Sequence, residues 1–586
     1  MPLTWTLTLA VALGLCIGPA HASDPPPPPP GWGEGPLSAL RVDSLERVYP
    51  DRPPVPASDS RPLASPRGAL VPIQIAVMSR TDAECRLRVP APVATDGGRL
   101  GAAMDVYHLQ AVPVEANNNG GSKTAVGVVP PHQWLAALVR EAPFEVAEVL
   151  VPAESVSLKA GVTHSLLVDV AVARDAAPGV YSGAVELTTG DGTASVGFSL
   201  QVYPVDAPQR SALHSTHWFF PEPRNLTQGE APAWWSEEHW KLIEQSGRVL
   251  RSFGQDTILT PLVDYREALI QTVRNEDGTY RFDYTRFDRW AELFFSLGFE
   301  YLEGHHTAML PEKWVYEGVF VVDARTGEKT PLVDAGRGNP SWLQFVPLLY
   351  DDLYRHLREQ GWEDRYLQHQ LDEPKDGELY EKLAALAREH MPGIRTIDAI
   401  NSRPEVYSPL VDIQVFALTI LAKNEALAAE RRERGRTNWL YHCCSPYPPY
   451  PNRHLDERLT DSRLYPWLAY LLGAEGYLYW GANVYRGADP YRSSIGPVPN
   501  GSQNPGHPPG DNWMFYPGPE GLRGSLRMVA FREGLLDHSL LTLLSERDPE
   551  QARQIVAGIA PSIADYERTP AAYHEARNRL LELLAL

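Results

Sequence analysis

The chain has 586 residues, of which 43% are hydrophobic, 22% charged and 10% aromatic. That composition excludes a disordered or fibrous protein, and at roughly 100–200 residues per domain it supplies more than one core. Lys and Arg number 53 against 73 Asp and Glu, a net charge of −20, which argues against nucleic acid or an anionic membrane as partner.

Residues 3–19, LTWTLTLAVALGLCIGP, form an apolar run followed by Ala20-His21-Ala22, a small-x-small cleavage pattern. Residues 1–22 therefore read as a signal peptide, and the mature protein as secreted or periplasmic. No later stretch reaches about 18 uninterrupted apolar residues, so no integral membrane segment is expected. Cys16 invites a lipoprotein reading, but bulky Leu15 stands where a lipobox wants a small residue. Cys85, Cys443 and Cys444 remain after cleavage, too sparse a set for a disulfide framework. Cys443-Cys444 reads either as a vicinal disulfide or as two packed thiols. CxxC and HExxH spacings are missing, so neither metal nor cofactor is expected. The tract Pro25–Pro30 makes residues 23–64 a stiff spacer and N-terminal segment.

From 65 to 205 the pattern alternates and is rich in β-branched residues. Segments 70–77, 164–172, 180–189 and 194–203 read as half-buried strands, and the turn DAAPG at 175–179 fits an antiparallel β-sandwich. From 210 to 545 the grammar becomes strand, helix, strand, helix. Apolar strands are expected at 213–220, 256–262, 299–304, 366–371, 394–400, 412–418, 437–443 and 476–481. In 284–297, Phe287, Trp290, Leu293, Phe294 and Leu297 recur at helical spacing before Gly298, and 342–360 behaves likewise before Gly361. Eight such repeats predict a (β/α)8 TIM-type barrel, with little room for a helix near 404–410. Residues 546–586 close the chain with helices beginning at Asp548-Pro549 and Thr569-Pro570.

Catalytic residues of such barrels sit where strands end and loops begin. The fourth strand runs into Asp372-Glu373-Pro374, and Pro374 cannot extend the ladder. Two adjacent acids repel, which favours one proton donor beside one anion; a solvated pair before a loop proline is the plain alternative.

The stretches VDSLERVYPD (42–51), QLDEP (370–374), WLYHCCSPYPPYPN (439–452), GYLYWGANVY (476–485), DNWMFYPGP (511–519) and SLRMVAFREGLLD (525–537) resemble glycoside hydrolase family 123. The resemblance implies a β-N-acetylgalactosaminidase acting on a glycan or glycoconjugate. It implies further that Asp372 holds the substrate's 2-acetamido group and Glu373 is the general acid/base. Ordinary retaining glycosidases need a second carboxylate at about 5 Å, on related barrels from the seventh strand. Here that strand ends Trp439-Leu440-Tyr441-His442-Cys443-Cys444, without an acid, so the substrate's own amide oxygen is the candidate nucleophile. Glu303, ending the third strand, stays open as a rival carboxylate or as a salt-bridged acid.

Other strand-end residues are candidates to line the pocket: Trp218, His305, His306, Asp398, Asn401, Tyr441, His442, Trp480 and Asn483. A tyrosine hydroxyl there could stabilise the reacting amide oxygen, and a tryptophan could floor a sugar ring. Trp513 and Tyr516 resemble family positions near the pocket, in a loop, 486–517, long enough to be a lid. Arg527 and Arg532 read as supports of the last helix. A barrel cleaving a different sugar and a non-catalytic glycan-binding protein are the alternative functions.

Overall fold

The computed structural model describes residues 27–58, 61–118, 138–263, 267–306, 319–333, 340–497 and 506–586. The apolar leader and its cleavage pattern lie outside them. Among the described residues no helix is long and apolar enough to cross a membrane.

Two sheets make up the N-terminal region. The first has five antiparallel strands in the order Leu37–Val42, Leu70–Ser79, His164–Val172, Ala102–Val114, Phe144–Pro152. Its edge strand Leu37–Val42 falls inside the stretch read as spacer. The second is built on the hairpin Gly179–Thr188 and Thr193–Asp206. In it Leu63–Arg67 runs parallel to Thr193–Asp206, so this sheet is mixed, not antiparallel throughout as the sequence suggested. Leu63–Arg67 reaches its partner through a long excursion of the chain, not a tight turn, and such a connection leaves strand direction free. Alternation sends one face of each strand inward. Ile73, Ile75, Leu166 and Val168 from the first sheet and Val185, Leu187, Leu200 and Val202 from the second share one core.

All eight expected barrel strands form: His214–His217, Thr257–Thr260, Tyr301–Gly304, Tyr366–Gln368, Arg395–Ile400, Ile413–Ala417, Thr437–His442 and Gly476–Tyr479. They pair in parallel, each beside its sequence neighbour, with the eighth beside the first. The Asp256 amide donates to the Ser215 carbonyl at 3.2 Å between the first and second strands, so the barrel is nearly closed. The aromatic helix at 284–297 is Thr285–Ser296, and the tight fifth unit has only the single turn Pro404–Tyr407. Asp548 caps its helix by accepting the Gln551 amide, with Pro549 in the first turn. A four-stranded sheet built from Gln271–Arg274, Tyr280–Asp283, Val319–Asp323 and Lys329–Val333 is an addition that the repeat pattern did not reveal.

The N-terminal sheets dock on the barrel through buried ion pairs. Arg527 Nε donates to Glu148 at 2.6 Å, and Arg532 donates to Asp169 at 2.7 Å. Arg527 also donates to the carbonyls of Arg453, Gly510 and Trp513. Both arginines are therefore fasteners between the first sheet and the last barrel helix.

Candidate active site

The fourth ladder stops at Gln368, before the apolar run ends. The reason is a competing acceptor. The Gln370 and Leu371 amides donate to the Asp398 carboxylate, at 2.9 and 3.2 Å, instead of to a neighbouring strand. The chain then turns through Asp372 and Glu373. Glu373 has φ +43°, a left-handed conformation that costs a non-glycine residue on the order of 1–3 kcal/mol. Its amide is held by the Ala399 carbonyl at 3.0 Å. Tyr407 donates to the Pro374 carbonyl at 3.0 Å, and Arg403 donates to that of Lys375 at 2.6 Å. Four residues, two on the fifth strand and two at the short helix after it, thus hold the turn against its strain. Asn401, from the end of the fifth strand, accepts from the Lys375 ammonium.

Asp372 is 8% exposed and Glu373 half-buried. The Tyr441 hydroxyl, reaching over from the seventh strand, donates to Glu373 Oε1 at 2.6 Å. Burial, reinforced by the Glu373 charge, pushes this phenol well above its ordinary pKa, so it stays a donor.

Glu303, the rival carboxylate of the third strand, is engaged within the protein. It is fully buried, and its two oxygens accept from Thr216 at 2.7 Å, Trp218 Nε1 at 2.9 Å and His369 Nε2 at 2.5 Å. His369 reaches Asp398 with its other nitrogen at 3.2 Å. Burial alone would lower the His369 pKa; the bonds to Asp398 and Glu303 outweigh it and raise it to about 9. Asp398 itself is pushed upward by burial, opposed by His369, Tyr380 and the Gln370 amide. Both ring nitrogens of His369 thus face carboxylate oxygens, an arrangement that favours the protonated ring. His306, His369 and Asp398 could bring donor atoms within 4.8 Å of one another. A ligating imidazole must offer a lone pair to the ion, however, and both nitrogens of His369 are already turned to carboxylate oxygens.

The remaining candidates separate into two groups. Trp218 stands edge-on to His306 and His369, with ring centres 5.3 and 5.7 Å away, and His306 lies 4.2 Å over His369. His305 adjoins His306 at 5.3 Å, so these four rings form one wall, of which Trp218 and His369 bond to Glu303. Trp480 is 8% exposed and lies 5.2 Å from His507. The others are drawn elsewhere. His442 stacks on Tyr465 at 3.9 Å and pairs with the Tyr477 hydroxyl at 2.8 Å, as part of the core. Asn483 uses both amide atoms on the Phe220 backbone, each at 2.9 Å, and so staples the first strand's loop to the eighth. Trp513 and Tyr516 are fully buried against Val112, Val114 and Phe144 of the first sheet. They anchor the loop to that sheet and do not line a pocket, because its strands offer them an apolar face. Cys443 and Cys444 are free thiols 3.9 Å apart, which settles the vicinal pair.

Sequence reasoning missed His369, Thr216 and Tyr380. His369 carried a signal: it is the centre of a polar run, Gln368-His369-Gln370, at the buried tip of the fourth strand. Its partners could not be found the same way, because they lie 66 and 29 residues away.

The model of the glycoside hydrolase 123 catalytic domain matches residues 221–544, more than half of the chain. The chain belongs to glycoside hydrolase family 123. It is accordingly a glycoside hydrolase, and the family match spans every barrel strand except the first. A solved family 123 glycoside hydrolase from Clostridium perfringens, described for glycolipid glycan hydrolysis, superposes with a TM-score of 0.71. It is 15% identical, with 94% of this chain and 98% of that one covered, a likeness of fold. A GH10 xylanase with a bacterial Ig-like domain, from termite gut, reaches a TM-score of only 0.30 at 9% identity, over 63% of this chain and 90% of that one. No curated protein matches.

Proposed function

We propose that this family 123 enzyme is a retaining hydrolase that removes β-linked N-acetylgalactosamine by substrate-assisted catalysis. The observation that carries the reading is the contrast between carboxylates. Glu303 is enclosed by three partners, the tip of the seventh strand presents Tyr441 instead of an acid, and Asp372-Glu373 remain at the turn. With Glu303 occupied, the substrate's 2-acetamido oxygen is the nucleophile that the arrangement leaves available.

In the first step that oxygen attacks C1 while the C1–O glycosidic bond breaks. Glu373 gives its proton to the departing oxygen, and Asp372 faces the positive charge that develops on the cyclised amide. In the second step water attacks C1 and opens the oxazolinium ring, which restores the amide with its N–H, and gives its proton to Glu373; two inversions at C1 leave the configuration retained. Attack from within the substrate has a small entropic cost, because the reacting atoms are already joined. Trp480, Trp218, His305 and His306 supply flat surfaces for the sugar and its N-acetyl methyl group. The two N-terminal sheets, sharing one core, are read as a sandwich that braces the barrel. The enzyme is further read as secreted or periplasmic after cleavage near Ala22, which mass spectrometry of the exported N-terminus would check.

The test is a panel of chromogenic glycosides together with the galacto-configured thiazoline. Hydrolysis of the N-acetyl sugar, with plain hexosides barely cleaved, is expected. The thiazoline, which mimics the cyclised intermediate, is expected to inhibit far better than the free sugar. A covalent sugar trapped on any carboxylate, Glu303 included, would overturn the mechanism.

A further inference from the structure

We propose that Cys444, His507 and Asp511 form a binding site for one zinc-class divalent cation beside the catalytic turn. A thiol sulfur, an imidazole nitrogen and a carboxylate oxygen from these residues lie within 4.8 Å of one another. They come from two separate pieces of chain. Cys444 follows the tip of the seventh strand, three residues after the Tyr441 that holds Glu373. His507 and Asp511 belong to the loop that leaves the eighth strand, and the His507 ring packs on Trp480.

The donors are built in place. Asp511 is fully buried, with Oδ1 accepting from the Tyr479 hydroxyl at 3.0 Å and Oδ2 facing His507 Nδ1 at 3.1 Å. His454 Nε2 approaches Oδ1 at 3.7 Å, so it leaves the Oδ2 side to the incoming ion. The His507 amide donates to the Gly496 carbonyl at 2.9 Å, and the Asn118 side chain donates to the His507 carbonyl at 3.3 Å, which fixes the backbone behind the ring. The His507 side chain keeps 19% exposure and Cys444 is half-buried, so an ion has a way in. Neither of these two residues has a part in the glycosidase chemistry described above.

The chemistry of the set selects the ion. Magnesium and calcium take shells of oxygen, whereas a thiolate with imidazole and one carboxylate suits zinc and its softer neighbours. Three protein ligands leave a fourth tetrahedral position for water. Binding would expel the Cys444 thiol proton to solvent, and the ion would tie the seventh strand's tip to the following loop. Cys443, whose sulfur lies 3.9 Å from that of Cys444, is outside the three-ligand set and serves as the control.

The experiment uses the full chain, reduced with a phosphine and stripped with a chelator, titrated calorimetrically with zinc chloride alone. One zinc per chain is expected, confirmed by elemental analysis after dialysis, with no competition from excess magnesium or calcium. Cys444→Ser and His507→Gln should each weaken binding at least tenfold, while Cys443→Ser should bind as the parent does. Cobalt substitution should give a sulfur-to-metal charge-transfer band that Cys444→Ser abolishes. Circular dichroism of each variant shows that it is folded before it is scored. Binding absent from the parent chain, or unchanged in both folded ligand variants, would overturn the site.

Discussion

Two sets of acids stand at the same end of this barrel, and they differ in what surrounds their oxygens. Glu303 and Asp398 are fully buried, and between them they accept from Thr216, Trp218, His369, Tyr380 and two backbone amides. Asp372 and Glu373 sit on the adjoining turn, with Glu373 half-buried and held by Tyr441. A carboxylate whose lone pairs are spent on the protein is a strut, because freeing an oxygen for a sugar leaves a buried donor unpaired. One that still meets the pocket can trade partners with substrate. The two sets are also coupled: Asp398 takes the amides that would have continued the fourth strand, and so decides where the Asp372-Glu373 turn begins.

Breaking the Asp372-Glu373 side of that comparison should give the largest effect. Glu373→Gln removes a proton donor and keeps the shape, so kcat on a poor leaving group should fall by about 10²–10⁴-fold. A glycoside with an excellent leaving group should lose far less, since it needs little protonation. Near-full activity on the poor substrate would mean that Glu373 is not the acid.

Breaking the strut side should register in stability first. Asp398→Ala strips the acceptor from His369, Tyr380 and the two turn amides, and removing one partner of a buried ion pair typically costs about 3–5 kcal/mol. Chemical denaturation should show a loss of that order, and activity should fall with it because the turn is released. A variant of unchanged midpoint would show that the turn is held by other contacts.

Much of this was legible in the residues. Every barrel strand was visible because a buried parallel strand is a short apolar run, and Asp372-Glu373 stood out because Pro374 marks the end of a ladder. The short fifth unit was visible too, from lack of space between its strands. The clasp was not legible, because Glu303, His369 and Asp398 are brought together by closure of the barrel, which no local pattern encodes. Trp513 and Tyr516 misled for a related reason: an aromatic in a long loop reads the same whether it faces a sugar or, as here, Val112 and Phe144.

Tyr441 stands between the two sets, since it is a protein donor to the half-exposed acid. Tyr441→Phe should lower kcat by roughly tenfold, the equivalent of one hydrogen bond to a charged group, with little change in folding. Steady-state kinetics on the N-acetyl glycoside would read it, and unaltered kcat would remove Tyr441 from the chemistry.

The smallest expected effect tests whether the clasp is charged. A histidine whose folded pKa lies above its unfolded value stabilises fully below the unfolded value and loses that contribution as pH rises through the folded one. For His369 those values are 6.5 and about 9, so its contribution should fade across that interval. His454, set between Glu457 and Asp511 and raised to about 10 despite burial, should add a second step of the same sign. Thermal melting from pH 6.5 to 10 should therefore show a falling midpoint. In His369→Gln, which is less stable at neutral pH, the fall should be shallower, because the substituted side chain does not titrate. His454→Gln should flatten the upper part of the interval and leave the lower part to His369. If His369→Gln melts along a line parallel to the parent, His369 is neutral in the folded protein. The clasp would then be an ordinary hydrogen-bond chain, with Glu303 and Asp398 sharing a proton of their own.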